Sequence, residues 1–281
     1  MNSTNKLFSF KTDISKVEIP ETLNNPFGSD IPDIARIAGT EFQDYIGKVV
    51  DNWEYDFRNS EIYAIDLSTE KVTQLTDRDG PDRTIAMSAN GKTLAYLGFD
   101  DRRQAYQNTL LYTMKVNGGA KKVWSDKFDF EITAPTWDPN GEGIYFMYDE
   151  KGNTKIGHIN KSGNTTEVCN NVGGTSIGRP YGGGSFSISE DGTIAFTQSS
   201  PMHPSELAIV KKGDKEAKQI LSLNNDLLGN RNLGQVEEVW YKSSFDQRDI
   251  QGWIVTPPDF DKSKKYPLLV ENHGGPILNY G

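Results

Sequence analysis

The sequence predicts a mainly β chain: a partial β-propeller of three to four blades, followed by the first strands of a second, α/β-type domain. Three observations predict it. A turn-and-strand phrase recurs as Ser88-Ala-Asn-Gly-Lys-Thr-Leu-Ala-Tyr96, Asp138-Pro-Asn-Gly-Glu-Gly-Ile-Tyr-Phe146 and Ser189-Glu-Asp-Gly-Thr-Ile-Ala-Phe196. Its turn glycines, Gly91, Gly141 and Gly192, are spaced 50 and 51 residues apart. A second strand type interleaves with the first, and the whole pattern stops after Leu221. Interleaved hairpins at this period are the sequence mark of four-stranded blades.

Each element has its own reason. Asn-Gly and Asp-Gly supply the positive φ of a tight hairpin turn. The apolar and aromatic residues after each turn suit a buried strand. The second strand type is Ser60–Leu67, Asn108–Val116, Asn153–Ile159 and Ser205–Val210. Each is followed by a polar turn and a short outer strand: Lys71–Leu75, Lys121–Trp124, Thr165–Cys169 and Lys218–Leu221. The blades are expected within 51–230. Propellers close with about 4–8 blades, so the reading expects an incomplete propeller, an atypical one or a piece of a longer protein.

Residues 1–50 carry no blade pattern. Pro20, Pro26, Gly28 and Pro32 punctuate a stretch expected to be irregular. A short packing helix is expected after it, from Ile34, Ile37, Ala38, Phe42, Tyr45, Ile46 and Val49 at three- and four-residue steps, although Gly39 weakens it.

After Leu221 comes a polar linker, Asn224–Leu233, and a new domain is expected over 231–281. Gln235–Lys242 and Ile250–Thr256 read as an antiparallel pair joined by the turn Phe245-Asp-Gln-Arg-Asp249. Pro257-Pro258 ends the second strand. A charged loop, Asp259–Lys265, leads to Tyr266-Pro-Leu-Leu-Val-Glu-Asn-His-Gly-Gly-Pro276. Leu268–Val270 reads as a short buried strand running into the glycine turn His273-Gly274-Gly275-Pro276. Paired glycines at a strand's carboxyl end leave backbone N–H groups bare, as in the oxyanion loops of α/β-hydrolases.

Composition bounds the function. The chain has 281 residues and a net charge of −9, so phosphate backbones are repelled and nucleic-acid binding is not expected. The single cysteine, Cys169, is expected to be a buried packing residue. The first residues have no apolar signal core, and no apolar run reaches the roughly 18 residues of a membrane span. Membrane partners are therefore not expected. A complete N-terminus implies the cytoplasm; a missing leader would leave the periplasm or secretion open. The three histidines, His158, His203 and His273, are scattered and make no metal-type pair, and no phosphate-binding glycine loop is present. No cofactor is expected. Asp100-Asp-Arg-Arg103 reads as a solvated loop, with a substrate contact as the alternative.

The blade phrases followed by VEEVWYKSS, IQGWIVTPPDFDKSKKYPLLVENHGGP and NYG resemble the prolyl oligopeptidase family of serine peptidases, near its acylaminoacyl- and dipeptidyl-peptidase-like branch. Trp53–Tyr63, Gly98–Asp101, Tyr106-Gln107 and Gly178–Tyr181 are similar to that branch too. The resemblance covers roughly 51–281. It implies a substrate-gating propeller joined to an α/β-hydrolase domain, a peptide substrate and Ser-His-Asp acyl-enzyme chemistry. It also implies that the Gly275 N–H is an oxyanion donor, with His273, Gly274 and Pro276 shaping the loop. The family's hairpin turn usually has Gly after Asp246; here it is Gln247, which is expected to strain the turn slightly.

The nucleophile is not expected within these residues. Gly174-Thr-Ser176-Ile-Gly178 matches G-x-S-x-G in form only. A polar turn precedes Ser176, and Arg179-Pro-Tyr-Gly-Gly-Gly184 after it cannot begin a helix. It also precedes the oxyanion loop, the reverse of the α/β-hydrolase order. The chain is thus expected to be a truncated piece of a peptidase, inactive alone and prone to self-association through its terminal strand. The alternative is a non-catalytic propeller that binds a peptide or protein partner.

Overall fold

The computed structural model describes residues 5–10, 58–66, 71–174 and 183–272. Among the described residues there are seventeen strands and one four-residue helix. The β1 strand (Asn5–Phe10), β2 (Glu61–Asp66) and β3 (Val72–Gln74) form a three-stranded sheet. A four-stranded sheet follows in chain order: β4 (Asp82–Met87), β5 (Thr93–Gly98), β6 (Leu110–Lys115) and β7 (Lys122–Val123). Two further four-stranded sheets repeat that order. One holds β8 (Thr133–Trp137), β9 (Gly143–Glu150), β10 (Asn153–Asn160) and β11 (Thr165–Cys169). The other holds β12 (Phe186–Ile188), β13 (Thr193–Ser200), β14 (His203–Lys211) and β15 (Lys218–Gln219). These sheets are the expected blades, three complete and one three-stranded.

The turn glycines behave as their sequence requires. Gly91, Gly141 and Gly192 take φ of 68°, 73° and 79°, a region where a side chain is strained. In each turn the glycine N–H donates to the carbonyl of the residue three earlier, Ser88, Asp138 or Ser189. The strands that follow bury Leu94-Ala-Tyr-Leu97, Ile144-Tyr-Phe146, and Ile194 with Phe196. The first two are covered on both faces and read as continuous apolar runs, whereas β13 buries alternate residues.

The chain divides into two compact units, 1–146 with 159–164, and 147–158 with 165–281. In the first, Ile62 of β2 packs into one core with Leu94, Tyr96, Tyr112 and Met114. Trp137 of β8 donates its indole N–H to the Ala86 carbonyl of β4 at 3.1 Å, and its ring meets Trp124 edge-on. In the second unit, the segment before residue 175 runs along the β12–β15 sheet. Gly173 N–H donates to the Thr197 carbonyl at 2.9 Å, and Ser199 N–H to the Asn171 carbonyl at 3.1 Å.

After β15, helix α1 (Asn225–Leu228) interrupts the linker. Glu206 of β14 fastens this linker. Its carboxylate accepts hydrogen bonds from Leu223 N–H at 2.7 Å, Asn224 N–H at 3.0 Å and the Asn224 amide at 2.8 Å. The pair β16 (Val236–Lys242) and β17 (Asp249–Val255) follows, antiparallel and in register from Val236↔Val255 to Lys242↔Asp249.

Two expectations need correction. The stretch before Pro32 was expected to be irregular, yet Asn5–Phe10 is a strand paired with β2 from Asn5↔Asp66 to Phe10↔Glu61. The Pro and Gly punctuation begins only at Pro20, and the edge of β2 offers these residues a ladder. The second correction is Leu268–Val270, which is neither a strand nor buried; Leu269 is 95% exposed. Three apolar residues become a strand only against a neighbour, and no described strand pairs with them. The expected helix over Ile34–Val49 lies outside the described residues.

Candidate functional site

The approach to the glycine turn is built from the β16–β17 pair outward. Ser243 N–H closes the hairpin by donating to the Arg248 carbonyl at 2.8 Å, and Gln247 N–H donates to the Ser243 carbonyl at 3.0 Å. Gln247 sits at φ 61°, the left-handed position that glycine fills without strain. The expected local strain is thus present. Beyond Pro257-Pro258 the charged loop folds on itself. Asp261 N–H donates to the Tyr266 hydroxyl at 3.0 Å, and the Phe260 and Tyr266 rings lie 5.0 Å apart. Pro267 through Asn272 then runs exposed. His273, Gly274, Gly275 and Pro276 lie outside the described residues, as does Ser176.

The other sequence candidates are placed. Cys169 is buried at the end of β11, and burial pushes its thiol up to about 12. A thiol held protonated in this way is a packing residue, as expected. His158 is buried on β10, with its Nδ1 3.3 Å from the Lys212 ammonium. His203 opens β14, its Nδ1 2.8 Å from the Pro204 carbonyl, and stands opposite Ser200 where β13 turns into β14. The loop Asp100–Arg103 is mostly solvated, but Asp101 is not: its carboxylate is 2% exposed, 3.6 Å from Arg103 and 3.9 Å from Arg58.

The structure also assembles a cluster that sequence reasoning missed. Glu61 opens β2 and is 6% exposed. Arg78 in the β3–β4 loop pairs with the fully buried Asp82 of β4 at 3.0 Å. The Arg78 guanidinium lies 4.0 Å from the Tyr112 ring centroid and 6.0 Å from that of Tyr96, and the two rings stack at 5.4 Å. Burial raises the Glu61 carboxyl to about 7, against a hydrogen bond from Thr76 that lowers it. Burial likewise raises Asp82 to about 6, against the Arg78 charge. A hint was present in sequence: Glu61 is a charged residue heading a strand otherwise written Ile-Tyr-Ala-Ile. The Arg78–Asp82 pair was hidden because Gly80-Pro81 separates them in a loop whose burial no period predicts.

No family model matches the chain. It is 27% identical over 222 residues to dipeptidyl-peptidase 5 of Porphyromonas gingivalis, covering 78% of this chain and 31% of that protein. It is 24% identical over 222 residues to dipeptidyl-peptidase 5 of Schizosaccharomyces pombe, covering 76% of this chain and 30% of the relative. The chain therefore spans about a third of the length of the relatives it matches. Among solved structures it resembles the acylaminoacyl peptidase of Pyrococcus horikoshii, with TM-score 0.55 and 17% identity over 75% of this chain and 30% of that one. It also resembles the AtxE2 isopeptidase, with TM-score 0.51 and 16% identity over 74% of this chain and 31% of that one. These two likenesses concern the fold; the sequence likeness carries the descent. Sheets at a 50-residue period, a hairpin after the last of them and sequence likeness over three quarters of the chain support the resemblance to peptidases of the prolyl oligopeptidase family.

Proposed function

We propose that this chain is the propeller side and oxyanion-loop entry of a serine-type peptidase acting on short peptides, of the dipeptidyl- or acylaminoacyl-peptidase type. The observation that carries this reading is the likeness to two dipeptidyl-peptidase 5 proteins, which covers 78% and 76% of this chain. A propeller that only binds a partner gives no reason for the β16–β17 pair and the run to His273. In this reading the blades lie within 51–230 and restrict access to small substrates, and the hydrolase domain begins near 231. The backbone N–H of Gly275 donates to the oxyanion that forms when a serine adds to the scissile carbonyl. His273, Gly274 and Pro276 shape that turn, and a Cβ at 275 would crowd the substrate carbonyl. The serine, its base and the acid come from sequence that follows this loop in the hydrolase order.

Residues 1–281 alone are then expected to be inert. The test is turnover of aminoacyl- and dipeptidyl-p-nitroanilides, together with labelling by a fluorophosphonate probe. Neither turnover nor labelling is expected, and a labelled serine within 1–281 overturns the assignment. The positive arm reads the coding sequence past Gly281. A G-x-S-x-G within about a hundred codons is expected. In the protein that carries it, Gly275→Ala should lower kcat by about 10²-fold with little change in KM. An unchanged kcat removes the oxyanion role from Gly275.

A further inference from the structure

Among the described residues, Ser60 and Asp82 bridge the seam between the first two sheets: Asp82 N–H donates to the Ser60 carbonyl at 2.6 Å, and the Ser60 hydroxyl donates to the Asp82 carbonyl at 3.2 Å. Beside it, within the first sheet, Leu75 N–H donates to the Ile62 carbonyl at 2.8 Å and Ile62 N–H to the Thr76 hydroxyl at 2.8 Å. Two acids are buried across this seam, Glu61 from β2 and Asp82 from β4. Their surroundings differ. Asp82 has the Arg78 guanidinium at 3.0 Å, whereas one carboxylate oxygen of Glu61, Oε2, is buried with no hydrogen-bond partner. Among the described residues the cation that acts on Glu61 is Lys121, which is already held by Asp77 at 3.0 Å. Asp82 and Asp77 act on Glu61 with the wrong sign for an ionised carboxylate. The remaining groups at the seam are Thr76, which hydrogen-bonds the carboxyl, the phenols of Tyr96 and Tyr112, and Asp100, 3.7 Å from Arg78.

We propose that Glu61 and Asp82 form a pH-sensitive latch between the β1–β3 sheet and the β4–β7 sheet, closed when Glu61 is protonated and loosened when it ionises. A neutral Glu61 carboxyl can stay in this pocket. An ionised one sits with an unpaired oxygen beside a second carboxylate, and it gains water only by opening the seam. Both carboxyls are raised above their ordinary values by burial, to about 7 for Glu61 and about 6 for Asp82. The sign follows. Below the ordinary carboxyl range both are protonated whether the seam is closed or open, and closure is at its strongest. As pH rises from about 4.5 to about 7, the open seam releases protons first, and closure weakens. Above the folded values the loss is complete and constant.

The test is amide hydrogen exchange on the chain, read at Asp82, whose N–H bonds across the seam, and corrected for the intrinsic pH dependence of exchange. Between about pH 5 and about pH 7 the opening constant of this amide should rise at least roughly tenfold. Amides of the β13–β14 hairpin should not follow, because its buried carboxylate, Glu206, is hydrogen-bonded by Leu223 and Asn224 and held below its ordinary value, so it stays ionised across this range. Glu61→Gln keeps the size and hydrogen bonding but cannot ionise, and should flatten most of the rise. A flat wild-type profile, or an unchanged rise in the variant, overturns the latch. If the variant does not fold, infrared titration of the wild type decides. A protonated-carboxyl band that disappears only near neutrality supports the latch, and its absence at about pH 5.5 overturns it.

Discussion

Arg78 has little solvent of its own, since its side chain is 8% exposed, and it spends its charge on Asp82 and on the face of Tyr112. Removing one partner of such a pair leaves the other buried and uncompensated, which costs about 3–5 kcal/mol. Arg78→Met should therefore lower the stability of the first blades by about 3 kcal/mol near neutral pH, read from the urea midpoint. The cost should shrink toward about pH 5, because an Asp82 without its cation is protonated there and no longer leaves a bare charge. Gly98 is tied to the same place by shape. A Cβ on Gly98 would meet the Pro81 carbonyl oxygen and the Asp82 carboxylate, both of them held by the seam. Gly98→Ala should destabilise by about 1–3 kcal/mol through overpacking, a loss seen in the same denaturant midpoint. Cys169 is the contrasting residue, since burial is the largest influence on its thiol, ahead of a hydrogen bond with the Ile156 backbone and the charge of Glu167. Its thiol, raised to about 12, should resist alkylation by iodoacetamide at about pH 8 in the folded chain and react once denatured. Rapid labelling without denaturant would contradict the packing role.

At the scale of the element, the hairpin turn of β16–β17 stores a small strain. Gln247 occupies a left-handed conformation, and its side-chain amide donates to the Ser243 carbonyl at 3.1 Å in partial compensation. Gln247→Gly relieves about 1 kcal/mol of backbone strain, and the extra freedom of the unfolded chain offsets part of that. A net gain of about 0.5 kcal/mol is expected, and a loss of stability would mean that the side-chain bond outweighs the backbone. This turn was legible in sequence because its residues sit where two strands must reverse. The strands that follow each blade turn were legible for the same reason, with Gly91, Gly141 and Gly192 fixing the register. The first strands of the three four-stranded sheets, β4, β8 and β12, were not. Asp82–Met87, Thr133–Trp137 and Phe186–Ile188 are short and half-buried, and Arg83, Thr84 and Thr133 face solvent, so neither period stands out. Leu268–Val270 failed differently. Its composition is that of a strand, but a strand needs a neighbour, and hydrophobicity alone does not supply one. The oxyanion reading of His273–Pro276 came from motif and order, signals that local sequence carries well. The Glu61–Asp82 cluster came only from the fold, because its members are brought together from β2 and β4 across a loop.

At the scale of the whole chain, apolar surface and net charge oppose each other. Trp240, Tyr241 and Val255 on the hairpin are 48%, 58% and 70% exposed, Phe245 at its turn is 97% exposed, and Leu268 and Leu269 beyond it are 84% and 95% exposed. A two-stranded ribbon is marginal by itself in water and gains by packing against something. Apolar area returns about 25 cal/mol per Å² when covered, so several such side chains can drive association between copies. Against this stands the net charge of −9, which makes each copy repel the next. The balance has a definite salt dependence. At low ionic strength repulsion reaches about 30 Å and should keep the chain largely monomeric; at about 0.15 M it is screened within about 8 Å, and the apolar contact should win. Light scattering across a concentration series should thus show a mass that grows with both protein and salt. Replacing Leu268 and Leu269 together with Lys should return the chain to monomer at the same salt, with no change in the urea midpoint, because both side chains already stand in water. A wild-type chain that stays monomeric at high concentration and moderate salt would show that the hairpin's apolar side chains are too dispersed to act as one surface.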